Sequence, residues 1–359
     1  MFVPAAALAL GLALTGFTPP VESRADWSEF HRTNMARWNP NETALSPKTV
    51  GRLQLKWRRA TGGGYSSPAI VNDVIYVGSS RPYVYALRAD DGAILWSYKT
   101  GAFVASSPAV ANGVLYVGAE DLNIYAIDAA TGAKLWSHST GDLVFAAPTV
   151  ADGKVFIGSD KLYALDAKSG AELWNYSNGG YVTFAAAFAN GVVYGGDFAV
   201  KAKDGTLVWT SSSGCDALPT VVGGVVFGGG VHAICALAAN TGAVLWNRNI
   251  NANVDTSFSV ANGVVYFGAD DGKLYALAAK TGEVLWTYAT GDIVESSPAV
   301  ANGVVYVGSF DGNTYALDAV SGAKLWSYRT GSIGSSPVVE NGVLYVDSDD
   351  GYLYAFGLK

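Results

Sequence analysis

One phrase of this chain returns again and again. The stretch LDAVSGAKLW, residues 317–326, recurs with small changes as IDAATGAKLW (127–136), LDAKSGAELW (165–174), LAANTGAVLW (237–246) and LAAKTGEVLW (277–286). Tryptophan stands at positions 57, 96, 136, 174, 209, 246, 286 and 326, at intervals of 35–40 residues. A period of that length marks stacked supersecondary units, each unable to bury its apolar faces alone.

Within one period the grammar is that of a four-stranded meander. In residues 290–326 the runs SSPAVA and VVYVG flank Asn302-Gly303. Asn-Gly between apolar runs predicts a type I′ hairpin, in which both central residues take positive φ. The pair recurs at Asn112-Gly113, Asn190-Gly191, Asn262-Gly263 and Asn341-Gly342, with Asp152-Gly153 and Gly223-Gly224 as variants. Asp311-Gly312 then leads to a third strand, TYALDA, and Ser321-Gly322 to a fourth that begins KLWSY. The first two strands are apolar on both faces, so both faces need cover. Meanders stacked about an axis provide it, which predicts an all-β propeller. The tryptophan on each outermost strand fills the wedge that widens away from the axis, with its N–H still in reach of a partner. The glycine before it allows the turn that aims the ring. These tryptophans are read as packing residues.

Inner strands begin at Pro68, Pro108, Pro148, Ala186, Pro219, Phe258, Pro298 and Pro337, which makes eight blades. Trp57 has no inner strands before it, and the last copy ends without its tryptophan. LKWRRAT (55–61) is therefore expected to supply the fourth strand of the last blade, closing the ring and removing exposed edges.

The remaining segments set the context. Residues 5–14 form an apolar run too short to span a bilayer, and Ser23-Arg24-Ala25 has the small-x-small pattern of a cleavage site. Residues 1–25 read as a secretory signal peptide, although no Lys or Arg precedes the apolar run; 26–54 is an N-terminal arm and 55–359 the propeller. No cysteine near the cleavage site could accept a lipid, and no later segment reads as transmembrane. A monomer, secreted or periplasmic, is expected. Half the residues are apolar and 15% charged, which argues against disorder. A net charge of −7 argues against a nucleic-acid partner.

Alignment of the blades at the inner-strand proline points to a candidate site. Three residues before it lie Tyr65, Ala105, Phe145, Thr183, Asp216, Asp255, Glu295 and Gly334, at the mouth of the axial channel. Three consecutive blades thus place a carboxylate at one structural position. Grouped carboxylates raise one another's pKa unless a cation sits between them, and hard cations want several oxygens. Asp216, Asp255 and Glu295 are candidate ligands for a cation or cationic group, faced by Tyr65 and Phe145. The bland alternative is solvated loop ends in an acidic protein. One residue earlier the series is aliphatic except for Gly64 and Cys215, and Cys235 replaces the recurring Tyr of LYAL. The two cysteines are either small buried hydrophobes or a disulfide. His31, His138 and His232 have no metal-ligand spacing, and no nucleophile elbow or phosphate-binding loop occurs.

The phrase small-x-Asp-x-x-Thr-Gly-x-x-x-Trp, as in AIDAATGAKLW (126–136), resembles the tryptophan-docking motif of pyrroloquinoline quinone (PQQ)-repeat propellers. The resemblance covers about residues 57–359, and residues 26–62 are similar to the leading segment of quinoprotein dehydrogenases and related secreted repeat proteins. It implies one of two functions. Dehydrogenases of the family bind PQQ and Ca²⁺ over the channel and oxidise alcohols or sugars. Scaffolds such as the outer-membrane assembly lipoprotein share the propeller and bind no quinone. The dehydrogenases carry long inter-blade insertions and adjacent cysteines, whereas here the blades are minimal and Cys215 and Cys235 are twenty apart. The scaffold carries a lipid-accepting cysteine that this chain lacks. Neither catalytic aspartate nor Ca²⁺ ligand transfers by motif. The expected function is a non-catalytic scaffold that binds a protein or small-molecule ligand at the channel mouth. The alternative is a PQQ- and Ca²⁺-dependent oxidoreductase whose haem partner would be another chain, since no C-x-x-C-H occurs.

Overall fold

The computed structural model describes residues 26–32, 35–215 and 217–359, with Ala217 described by its backbone alone. The signal-peptide reading of residues 1–25 lies outside the described residues. Eight antiparallel four-stranded sheets follow one another along the chain. Blade 1 comprises Ala69–Val71, Val74–Val77, Tyr83–Arg88 and Ile94–Lys99, and blade 7 comprises Ala299–Ala301, Val304–Gly308, Asn313–Asp318 and Lys324–Arg329. Blade 8 has Val338–Glu340, Val343–Ser348 and Tyr352–Gly357, and its outer strand is Gln54–Ala60, with Trp57 opposite Ala355. The ring closes as the sequence predicts. Most inner strands are only three residues long, shorter than expected, and start just after the proline, which has no N–H to give a ladder. The hairpin pairs are of the predicted kind: Asn112 and Gly113 have φ of 52° and 77°.

Neighbouring blades are tied at three radii. Near the axis a belt of serines bonds blade to blade. Ser67 N–H donates to Ser107 Oγ at 2.9 Å, Ser297 N–H to Ser336 Oγ at 3.0 Å, and Ser336 N–H to Ser67 Oγ at 2.9 Å, which joins blade 8 to blade 1. At mid-radius, both faces of the second and third strands are buried in clusters shared by adjacent blades. At the rim, Trp96 Nε1 donates to Ala129 O of the next blade at 2.9 Å, and Trp57, Trp136 and Trp246 repeat the bond. The motif glycine takes the left-handed turn the sequence reading assigns to it, Gly132 at φ 75°, and has a second role. Gly132 seats the preceding blade's ring: a Cβ there would lie 2.8 Å from Trp96 Cδ2.

The seam between blades 8 and 1 differs from the other junctions. Gly308 of blade 7 has no room for a Cβ, because Ile333 of blade 8 stands 2.2 Å from where it would be. The same place in blade 8 holds Asp347, and the residue matching Ile333 in blade 1 is Gly64. Asp347 is fully buried, accepts from Thr61 Oγ1 at 3.3 Å, and is held well above the usual carboxylate range by burial.

The arm stoppers the bore. Trp27 exchanges both backbone hydrogen bonds with Ile70 of blade 1, at 2.9 and 2.7 Å. Ser28 O accepts from Val110 N–H in blade 2, and Glu29 Oε2 from Val150 N–H in blade 3. Ala36 O and Arg37 O then accept from Val260 and Val300, and Trp38–Asn39 runs parallel to the inner strand of blade 7. Arg37 is wholly buried. Its guanidinium donates to the carbonyls of Pro298, Pro337 and Phe30 and lies 4.7 Å from the Phe30 ring centroid.

Candidate functional site at the axial mouth

With its lower half filled by the arm, the bore becomes a cup of about 490 Å³, open on the face where the inner strands begin. Phe30 of the arm contributes to its lining. Tyr65, Phe145, Phe184 and Leu218 give apolar wall, and Ser67, Ser107, Ser297 and Ser336 come from the serine belt. Among the described lining residues Glu120, Asp255 and Glu295 are the acids, and none is Lys or Arg.

The electrostatics follow from that imbalance. Burial raises the Glu295 carboxyl above its ordinary range, and the charges of Asp255 and Asp349 raise it further. Burial, then Glu295 and Asp349, push the Tyr65 phenol up as well. Asp349 is itself raised by burial and by Asp350. One side of the mouth therefore gathers partly buried carboxylates next to aromatic rings. Such a cup suits a cation carried on an apolar stem.

Tyr65, Phe145, Asp255 and Glu295, from four different blades, all line this cup. The fifth expected residue, Asp216, lies outside the described residues. Among the described residues no three His, Cys, Asp or Glu side chains are grouped to hold a metal ion. Phe30, Phe184, Glu120 and Asp349 were not anticipated. Phe184 had a signal, since it falls where most blades place a small residue two before the proline. Asp349 was visible only as the DSDDG turn of blade 8. Phe30 had none, because the arm is not a repeat.

Cys215 and Cys235 are bonded to each other, with Cα atoms 6.2 Å apart, and both are buried. The bond ties the loop leading into blade 5 to that blade's third strand. The histidines stay apart. His31 packs in the bore beside Ser257, at 3.3 Å from its hydroxyl, and His138 lies 3.7 Å from Glu172.

The family profile described as "Outer membrane protein assembly factor BamB" matches residues 43–180, 189–296 and 290–359. A protein of that description from Francisella salina is 30% identical over 74 residues, a stretch that covers 19% of this chain and only 14% of that protein. Among solved structures, a europium-containing methanol dehydrogenase superposes with a TM-score of 0.81 at 17% identity, over 93% of this chain and 98% of that one. The quinohemoprotein alcohol dehydrogenase from Comamonas testosteroni gives 0.78 at 17%, over 93% and 80%. BamB from Moraxella catarrhalis gives 0.75 at 21%, over 85% and 100%. At these identities the structural likeness is one of fold.

Proposed function

Because the chain belongs to the family described as outer membrane protein assembly factor BamB, whose members are PQQ-like propellers, we propose that it is a non-catalytic binding propeller whose axial cup receives a cationic group from a partner. The observation that carries this reading is the pairing of acids Asp255 and Glu295 with the rings of Tyr65 and Phe145, with no Lys or Arg among the described lining residues. An arginine or lysine side chain fits that chemistry. Its stem packs on the rings while its charge offsets the Asp255 and Asp349 charges that add to burial in raising Glu295. A protein that presents such a side chain is the favoured partner. The compartment that goes with this reading is periplasmic or extracellular. The leader-like residues 1–25 and the Cys215–Cys235 bond both support it.

The described lining does not suit PQQ. That cofactor carries three carboxylates, and the cup offers it Glu120, Asp255 and Glu295 with no cationic side chain. A bridging Ca²⁺ would have to supply all the positive charge.

Calorimetric titration of the purified chain with a tri-arginine peptide, and separately with PQQ with and without Ca²⁺, tests the proposal. Saturable peptide binding is expected, weakened at least about tenfold by Asp255→Asn with Glu295→Gln, the scale of losing one or two charge-assisted hydrogen bonds. Peptide binding indifferent to those substitutions, or tight PQQ uptake that needs Ca²⁺ and Asp255, would overturn it.

A further inference from the structure

After leaving the bore, the arm runs outward through the wedge between blades 7 and 8. Leu45, Val50 and Leu53 are buried there against Ala301, Val304, Tyr306 and Val339. Ala44 lies over Gly342, and Pro47 over Gly303. Asn302 Nδ2 donates to Thr43 O at 3.4 Å, and Gly342 N–H donates to Glu42 Oε2 at 2.9 Å. A single 3₁₀ turn, Val50–Arg52, brings Gly51 near the Leu325 carbonyl, and Leu325 is partly buried against the same cluster. The chain thus shows what kind of peptide an inter-blade wedge of this propeller accepts.

The corresponding wedge between blades 1 and 2 holds an open cavity of about 470 Å³. The repeat aligns its lining with the filled wedge, residue by residue. Val71, Val74 and Tyr76 stand for Ala301, Val304 and Tyr306, and Val110 for Val339. Asn72 and Gly113 stand for the two polar anchors, Asn302 and Gly342. Leu95, the counterpart of the partly buried Leu325, is 46% exposed. Two differences define what would fit. Trp326 donates to Leu53 O, whereas Trp96 already donates to Ala129 O, so only the part of the segment before Leu53 has a vacant counterpart. Asp73 replaces Gly303, so the proline ring has no matching seat.

We propose that the wedge between blades 1 and 2 is a docking site for a short segment of a partner protein. The segment has the chemistry of residues 42–50: an acidic residue, two small residues or so, then a leucine that fills the apolar cavity, with a small residue in place of Pro47. The acid caps Gly113 N–H, Asn72 holds the backbone, and the leucine lies among Val71, Val74 and Val110. This site is on the opposite face from the axial cup and does not depend on it.

The probe is the fluorescein-labelled nonapeptide of residues 42–50 carrying Pro47→Ala, followed by fluorescence anisotropy with the full chain. Saturable binding is expected. Leu45→Asp in the peptide should weaken it at least about tenfold, the scale of one buried leucine. Leu95→Glu and Ala130→Arg, both at exposed positions, should abolish it with unchanged circular dichroism. A photo-reactive peptide should label residues 71–76 or 95–96. Three results would overturn the assignment: no saturation, labelling of 301–306 or 325–326 by displacement of the chain's own segment, or self-association of the protein that Leu95→Glu removes, which would make a second copy the occupant.

Discussion

Trp96 of blade 1 rests on Gly132 of blade 2: its Nε1 bonds Ala129 O at 2.9 Å, and its Cδ2 lies 2.8 Å from where a Gly132 Cβ would be. The relation repeats from Trp57 on Gly92 to Trp286 on Gly322. The rim of the propeller is therefore held by rings seated on the neighbour's turn.

That seating separates two costs of replacing a glycine. Gly132 and Gly113 both have left-handed φ, 75° and 77°, but a Cβ at Gly113 meets open space. Gly113→Ala should cost about 1 kcal/mol, from backbone conformation alone. Gly132→Ala should cost roughly 2–4 kcal/mol, because the ring must also shift. Urea unfolding midpoints of the two variants check the difference. Equal losses would deny the ring contact.

Arg37 joins the arm to blades 7 and 8 through the carbonyls of Pro298 and Pro337, also donates to the arm's own Phe30 carbonyl, and is wholly buried. Arg37→Met should destabilise by roughly 3–5 kcal/mol, since it leaves buried carbonyls without donors. Hydrogen exchange should rise first at Ile70, Val110 and Val300, whose backbone groups the arm engages. Exchange confined to residue 37 and its neighbours would show that the arm is held without it.

The disulfide closes a separation of 20 residues within blade 5. Cys215→Ala with Cys235→Ala should lower stability by about 3 kcal/mol, the loop-closure scale. Dithiothreitol should lower the melting temperature of the wild type and leave that of the double variant unchanged.

Two buried groups of the arm give opposite pH dependence. Burial raises Glu29 to about 8, so between pH 4.5 and 8 the folded chain holds a proton that the unfolded chain has lost. The stability this group supports is full below about pH 4.5 and is lost as pH rises to about 8. Burial, and then the Arg37 charge, lowers His31 to about 3. Its contribution is present above the ordinary value of 6.5 and is lost as pH falls toward 3. Glu29→Gln should therefore gain on the wild type between pH 5 and 8, and His31→Gln should gain on it between pH 6.5 and 4. Parallel stability curves for wild type and variants would refute both assignments.

The number of blades, the closure by the strand around Trp57 and the placing of Tyr65, Phe145, Asp255 and Glu295 about one mouth were determined by the sequence alone. They are periodic, and eight imperfect copies aligned on one proline assign each residue its radius and height. The seats of the tryptophans were only half legible. A repeat shows which residues recur, while contact across a wedge pairs residue i of one copy with a residue of the next, so the turn Gly132 makes before Trp136 is legible and its seat for Trp96 is not. What only the tertiary structure decided is the path of the arm: Phe30 in the cup, Arg37 in the bore, and Leu45 between blades 7 and 8. The arm occurs once, has no copy to align with, and takes its conformation from surfaces that exist only after the ring has closed.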